Sequence, residues 1–155
     1  MKRVVKIVLC VSAVLLIAIQ FLPRDHNESG KVPVNDITKV CNVPGDVHVI
    51  LKNSCYDCHS NNTRYPFYAR IQPIRLMMDW HVRQGKEDFN FNEFATYTSR
   101  KQRSKLRAIG ESLEEGSMPL SSYTLIHRSA ILSEADKTLL SKWVKQSADS
   151  LLLKN

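Results

Sequence analysis

A chain of 155 residues holds one modest domain plus an appendage. The net charge of +7 comes partly from Lys2, Arg3 and Lys6, and the remaining cations are interspersed with acidic residues. That distribution argues against a dedicated nucleic-acid binder, which concentrates cations on one surface beside a recognisable motif. With five glycines and almost no alternating apolar pattern, the chain predicts an all-α fold.

From Val4 to Leu22 the chain is almost wholly apolar, broken by Lys6, Ser12 and Gln20. That is close to the roughly 20 residues that cross a bilayer. The preceding basic residues keep the N-terminus cytoplasmic and put everything after Pro23 outside. No A-x-A-like site follows the apolar run, so an uncleaved anchor is preferred to a cleaved signal peptide over residues 1–22. Cys10 lies deep in that run and reads as apolar filler. Residues 23–42, with Pro23, Gly30 and Pro33, read as a polar tether. Cys41 near its end is a partly buried small side chain, a free thiol or an intermolecular partner.

The domain expected over residues 43–155 opens on a short helix from Asp46 to Ser54, with Val47, Ile50 and Leu51 on one face. That face continues into Cys55-Tyr56-Asp57-Cys58-His59. Two cysteines three positions apart with a histidine directly after them form the pattern that attaches c-type haem. A single tight turn brings both sulfurs to neighbouring vinyl groups, and the next residue lies under the iron as proximal ligand. A zinc site would want a second ligand pair, and a thioredoxin-like site a strand before the motif; the chain has neither. Attachment of haem to such a motif takes place, in bacteria, on the outer side of the inner membrane, in agreement with the anchor's orientation.

Beyond a turn at Ser60–Thr63, the aromatics of Arg64-Tyr-Pro-Phe-Tyr68 suit either a haem edge or ordinary core. A second helix is expected from Pro73 to about Gln84, stopped by Gly85, with Ile74, Met77, Met78, His81 and Val82 on its apolar face. His81 is an alternative iron ligand, though a histidine there is more often a core residue; Met77 and Met78 read as core filling. Phe89–Phe94 begins a third helical stretch capped by Asn90 or Asn92. Ser99-x-x-Gln102 has the form of a capping box for a helix running through Glu115. Leu106, Ile109 and Leu113 form that helix's buried stripe. Arg100, Lys101, Arg103, Lys105 and Arg107 make it basic: a solvated face, or in part a contact for haem propionates or an acidic redox partner.

Gly116-Ser117-Met118-Pro119 follows in a loop. Met118 is either simply buried or offers a soft thioether opposite the imidazole, which stabilises ferrous iron. A last helix opens with the box Ser133-x-x-Asp136 and carries Leu139, Leu140, Trp143 and Val144 on one face, toward the helix before the haem motif. His127, in the loop before it, is a third-choice ligand.

With both motifs in hand, the chain resembles a c-type cytochrome. More narrowly, residues from about Val43 to Gln146 resemble the bacterial haem-binding domain family, through a CYDCHSN-T-YP stretch (Cys55 to Pro66) and an EG-MPL-SY stretch (Glu115 to Tyr123). The resemblance implies a small cytochrome c-like helical domain around one haem c. It implies covalent attachment at Cys55 and Cys58, His59 as proximal ligand and Met118 as the sixth. The function expected is one-electron transfer with redox partner proteins, from a single-pass position in the bacterial inner membrane with the haem domain in the periplasm. The competing reading is a haem sensor or small peroxidase with a displaceable sixth ligand.

Overall fold

The computed structural model describes residues 1–23, 25–30 and 33–153. Helix α1, Lys2–Ala18, is continued by a 3₁₀ turn at Ile19–Phe21. Among the described residues, Lys2–Phe21 is the one helix long and apolar enough to cross a membrane, with a mean hydropathy of 2.6 and none of its span buried. The domain that follows is all-α: α2 Gly45–Ser54, α3 Tyr56–His59, α4 Ile74–Asp88, α5 Ser99–Glu115, α6 Ser121–Thr124 and α7 Glu134–Leu153. The described residues form no strand, only an isolated bridge between Glu28 and Asn62.

The core lies between α2, α5 and α7. Val47 and Leu51 of α2, Leu106 and Leu113 of α5, and Leu140, Trp143 and Val144 of α7 meet there, with Phe89, Phe91 and Phe94 filling the centre. The α5–α7 pair is the main helix packing, and α7 touches α2 as well. Gly110 allows α5 close to Val144 without crowding. The predicted box at Ser133 is present: the Ser133 amide donates to Asp136 Oδ2 at 2.9 Å and the Asp136 amide donates to Ser133 Oγ at 3.1 Å.

Three local expectations need correction. The cap of α5 is Thr98, whose hydroxyl accepts from the Lys101 amide, while Gln102 donates to the Phe94 carbonyl instead of reaching back. Helix α4 does not stop at Gly85 but runs through it to Asp88. A Cβ built on Gly85 would stand 2.6 Å from the Cys58 carbonyl oxygen, so glycine is there to let α4 lie against the haem-motif turn. The third correction concerns the inner face of α4. Its buried residues are Arg75, Asp79, Val82 and Gly85, whereas Ile74, Met77 and Trp80 are exposed. Arg75 Nε meets both Asp79 oxygens at 2.7 and 2.8 Å and its guanidinium lies 4.0 Å from the centre of the Tyr65 ring. A paired, ring-covered charge can occupy an inner face that hydropathy alone assigns to the apolar residues.

The stretch expected to be a tether touches the domain along its described part. Asn27 donates to the Ser60 carbonyl and to Thr63 Oγ1, and Lys86 donates to Asn27 Oδ1. Ile37 and Cys41 are buried in the core.

Gly85→Ala should lower stability by about 1–3 kcal/mol, because backbone atoms of Cys58 cannot give way, despite alanine's better helix propensity. Gly110→Ala, whose new Cβ meets Val144 Cγ1 at 3.6 Å, should instead stabilise by up to about 1 kcal/mol. Urea unfolding of the two variants checks the opposite signs.

Candidate haem site

The motif turn is built by α2 ending at Cys55 and α3 starting at once, with the His59 amide donating to the Cys55 carbonyl at 3.0 Å. On one side of this turn lies a cavity of about 290 Å³. Cys55 and His59 line it from the motif, Ile109 and Leu113 from α5, Leu140 from α7, and Met118 from the loop after α5. Leu51, Phe89, Phe91 and Leu132 complete a largely apolar wall, and Asp88, Lys105 and Ser112 are its polar members.

His59 is oriented by the backbone. Its Nδ1 lies 3.0 Å from the Phe89 carbonyl oxygen. A carbonyl only accepts, so Nδ1 carries the proton and Nε2 is left as the nitrogen able to ligate. Metal-binding histidines are held in this way, with the second ring nitrogen donating to a fixed acceptor.

Met118 owes its position to the end of α5. Gly116 adopts φ of 66°. The Gly116 and Ser117 amides donate back to the Leu113 and Ser112 carbonyls, a pattern that ends the helix and turns the chain sharply. Met118 follows two residues later and is 38 % exposed. Its thioether and the His59 imidazole thus belong to the same cavity.

Cys58 and His81 are placed elsewhere. Both line a second, smaller cavity, with Tyr68, Met78, Tyr123 and His127. His127 is hydrogen-bonded to the Tyr68 hydroxyl and stacked on Tyr123. The aromatics after the motif do not face the first cavity: Phe67 is 81 % exposed, and Tyr65 covers Arg75. Of the cations on α5, Lys105 reaches the first cavity, while Arg103 and Arg107 lie on another surface, toward α7.

The turn is locked by Asp57, which sequence reasoning missed. This buried carboxylate accepts from the Arg64 amide at 3.1 Å, from Arg64 Nε at 3.1 Å and from the Tyr123 hydroxyl at 2.7 Å. Thr63 Oγ1 donates to the Asp57 carbonyl at 2.6 Å. The signal was a carboxylate inside an otherwise apolar motif, followed by an arginine seven positions on. The Phe89 carbonyl left no signal at all, since any residue supplies one.

Burial, and then the neighbouring Cys58, push the Cys55 thiol up to about 12; burial, and then Asp57, push Cys58 up to about 11. Both sulfurs are therefore protonated at neutral pH, unlike the low-pKa thiolates of redox-active pairs. Burial, followed by the Asp57 carboxylate, raises the Tyr123 phenol far above its ordinary range, so the hydroxyl remains a donor. Among the described residues no three His, Cys, Asp or Glu side chains gather to hold a bare metal ion.

An apolar cavity with an imidazole nitrogen and a thioether in its wall suits a porphyrin carrying its own iron. A family model described as a haem-binding domain matches residues 14–146. The chain belongs to the haem-binding domain family. The match runs from the second half of α1 to the middle of α7, so the haem-binding domain as a family includes the segment that joins α1 to the core. No curated protein and no solved structure matches the chain.

Tyr123→Phe should cost about 2 kcal/mol, the value of a hydrogen bond to a buried carboxylate. Thermal unfolding of the haem-loaded protein checks this, with a fall in midpoint of several degrees expected.

Proposed function

We propose that this haem-binding domain is a membrane-anchored monohaem c-type cytochrome that passes single electrons on the periplasmic side of the bacterial inner membrane. The observation that carries the reading is that His59, Met118 and Cys55 all line one largely apolar cavity. Bound haem supplies an iron that takes up and returns one electron. Cys55 and Cys58 would hold haem covalently, each thiol adding across a porphyrin vinyl group with its hydrogen passing to the other vinyl carbon. Cys58, which lines the second cavity here, would have to turn toward the first. His59 would offer Nε2 to the iron while the Phe89 carbonyl keeps Nδ1–H in place. Met118 would offer the sixth ligand, whereas His81 lines the second cavity, away from His59. The walls from Leu51, Phe89, Ile109, Leu113 and Leu140 exclude water, and low dielectric around the ring favours the state of lower charge. Lys105, at the edge of this wall, is the cation suited to a propionate. No side chain is required as acid, base or nucleophile. The redox partners are proteins, and α1 fixes the molecule to the membrane with its N-terminus inside.

A second reading, a haem sensor or small peroxidase, is favoured by the exposure and loop position of Met118, which suit a displaceable ligand. The two are separated at the iron.

Acid–acetone extraction of the full chain, made in cells that mature c-type cytochromes, should leave the colour with the protein. The oxidised spectrum should show low-spin bands and a weak far-red sulfur-to-iron band. Loss of colour on extraction would refute covalent attachment at Cys55 and Cys58.

Met118→Ala should keep the haem attached and open the ferrous iron to carbon monoxide. It should also lower the potential by on the order of 0.1 V, a fraction of the range over which axial ligands tune haem. Rapid carbon monoxide binding by the unaltered ferrous protein would overturn the electron-relay reading in favour of the second one.

A further inference from the structure

Part of the apolar stripe of α4 expected in the core, Ile74 and Met77, is on the outside, next to Trp80. Ile74, Met77 and Trp80 are 38, 52 and 55 % exposed, because Arg75 and Asp79 occupy the inner face as a buried pair. The surface around them is also apolar. Phe67 and Ile71, on the segment leading into α4, are 81 and 52 % exposed, and Ile126, which shares the small second cavity with Ile74 and Met77, is 58 % exposed. Contiguous exposed apolar side chains of this size mark a binding face.

The end of α1 indicates what covers this face. Gln20, in the last turn before the chain leaves the apolar run, donates from Nε2 to the Gln72 carbonyl at 3.2 Å and accepts from the Gln72 amide at 3.0 Å. Gln72 lies between Ile71 and Ile74 in sequence and begins the approach to α4. The membrane exit of the anchor therefore meets the domain at the edge of the apolar face, where a lipid surface is already at hand. Trp80 is of the type enriched at membrane interfaces, and exposed Arg70, between Phe67 and Ile71, suits anionic headgroups.

We propose that Phe67, Ile71, Ile74, Met77, Trp80 and Ile126 rest on the outer leaflet of the bilayer that α1 crosses, so that the domain lies on the membrane in one orientation. The proposal rests on the anchor reading above. None of these six residues lines the cavity of His59 and Met118, so seating the domain on lipid leaves that cavity and its Lys105 edge open to partners.

Hydroxyl-radical footprinting of the haem-loaded full chain, reconstituted into protein-free phosphatidylethanolamine–phosphatidylglycerol vesicles, tests this. Oxidation of Phe67, Met77 and Trp80 should fall several-fold against the same chain in dilute detergent, with Ile131, 50 % exposed and outside the face, unchanged as the internal control. A Met77→Glu, Ile126→Glu variant should regain oxidation at Trp80 while staying in the vesicles after carbonate washing. Carbonate-resistant protein with unprotected Trp80 would overturn the docking while leaving the anchor intact. Protection that arises only in native membranes would also overturn it, since a protein would then cover the face. Release of the chain by carbonate would remove the anchor and the docking together.

Discussion

A buried carboxylate, Asp57, ties the C-x-x-C-H turn to two other segments of the domain. Between the two cysteines, Asp57 draws in Arg64 from the following loop and Tyr123 from α6, while Tyr56 donates to Asp36 and stacks on Phe91. A buried carboxylate is costly unless its lone pairs are filled. Here that cost requires the two segments to be present together. Because α6 follows directly after the loop of Met118, the Tyr123 bond links the wall carrying His59 to the wall carrying Met118. The two candidate ligands come from positions 59 residues apart in the chain, and this contact ties together the segments that carry them.

The remaining ties act on the backbone. Gly85 lets α4 press against the Cys58 carbonyl, and the end of α4 then delivers the Phe89 carbonyl to His59 Nδ1. One helix therefore does two jobs, supporting the turn from behind and orienting the imidazole within it. Phe89 itself stacks edge-on against Phe91 and Phe94 in the core, so the carbonyl that holds His59 is anchored by packing as well as by hydrogen bonding. An imidazole held this way keeps one orientation, which the proposed electron-transfer role would require of an iron ligand.

Much of this was legible in the sequence. The all-α class followed from scarce glycine and helical spacing; α2 and α5 lie near their predicted limits, and α7 begins at its predicted box. The C-x-x-C-H turn and the G-x-M-P loop are the local stretches that the fold brings into one site, apart from Cys58, which faces the second cavity. The errors have physical sources. Gly85 was read as a stop because a glycine near a helix end resembles a C-cap, whereas its use is a long-range approach that only the tertiary structure reveals. On α4, Val82 is buried as expected but Ile74 and Met77 are not, because hydropathy treats Arg75 and Asp79 separately, although as a pair under Tyr65 they can be buried. The shift of the α5 cap from Ser99 to Thr98 is the ordinary ambiguity of adjacent hydroxyl residues.

The stretch between α1 and the core has more bearing on function than its composition suggested. Asn27 is bonded to Ser60, Thr63 and Tyr65, the residues just after His59, and Asp25 pairs with Arg83 on α4. Ile37 and Cys41 then enter the core beside Leu51. The path from the apolar helix to the haem motif is thus fastened at several points rather than left as a free chain. A loose tether would let the domain sweep a volume and meet partners by diffusion. A fastened one sacrifices that reach; on the proposed reading of a membrane-held carrier, it would limit the placements in which the site can meet a partner.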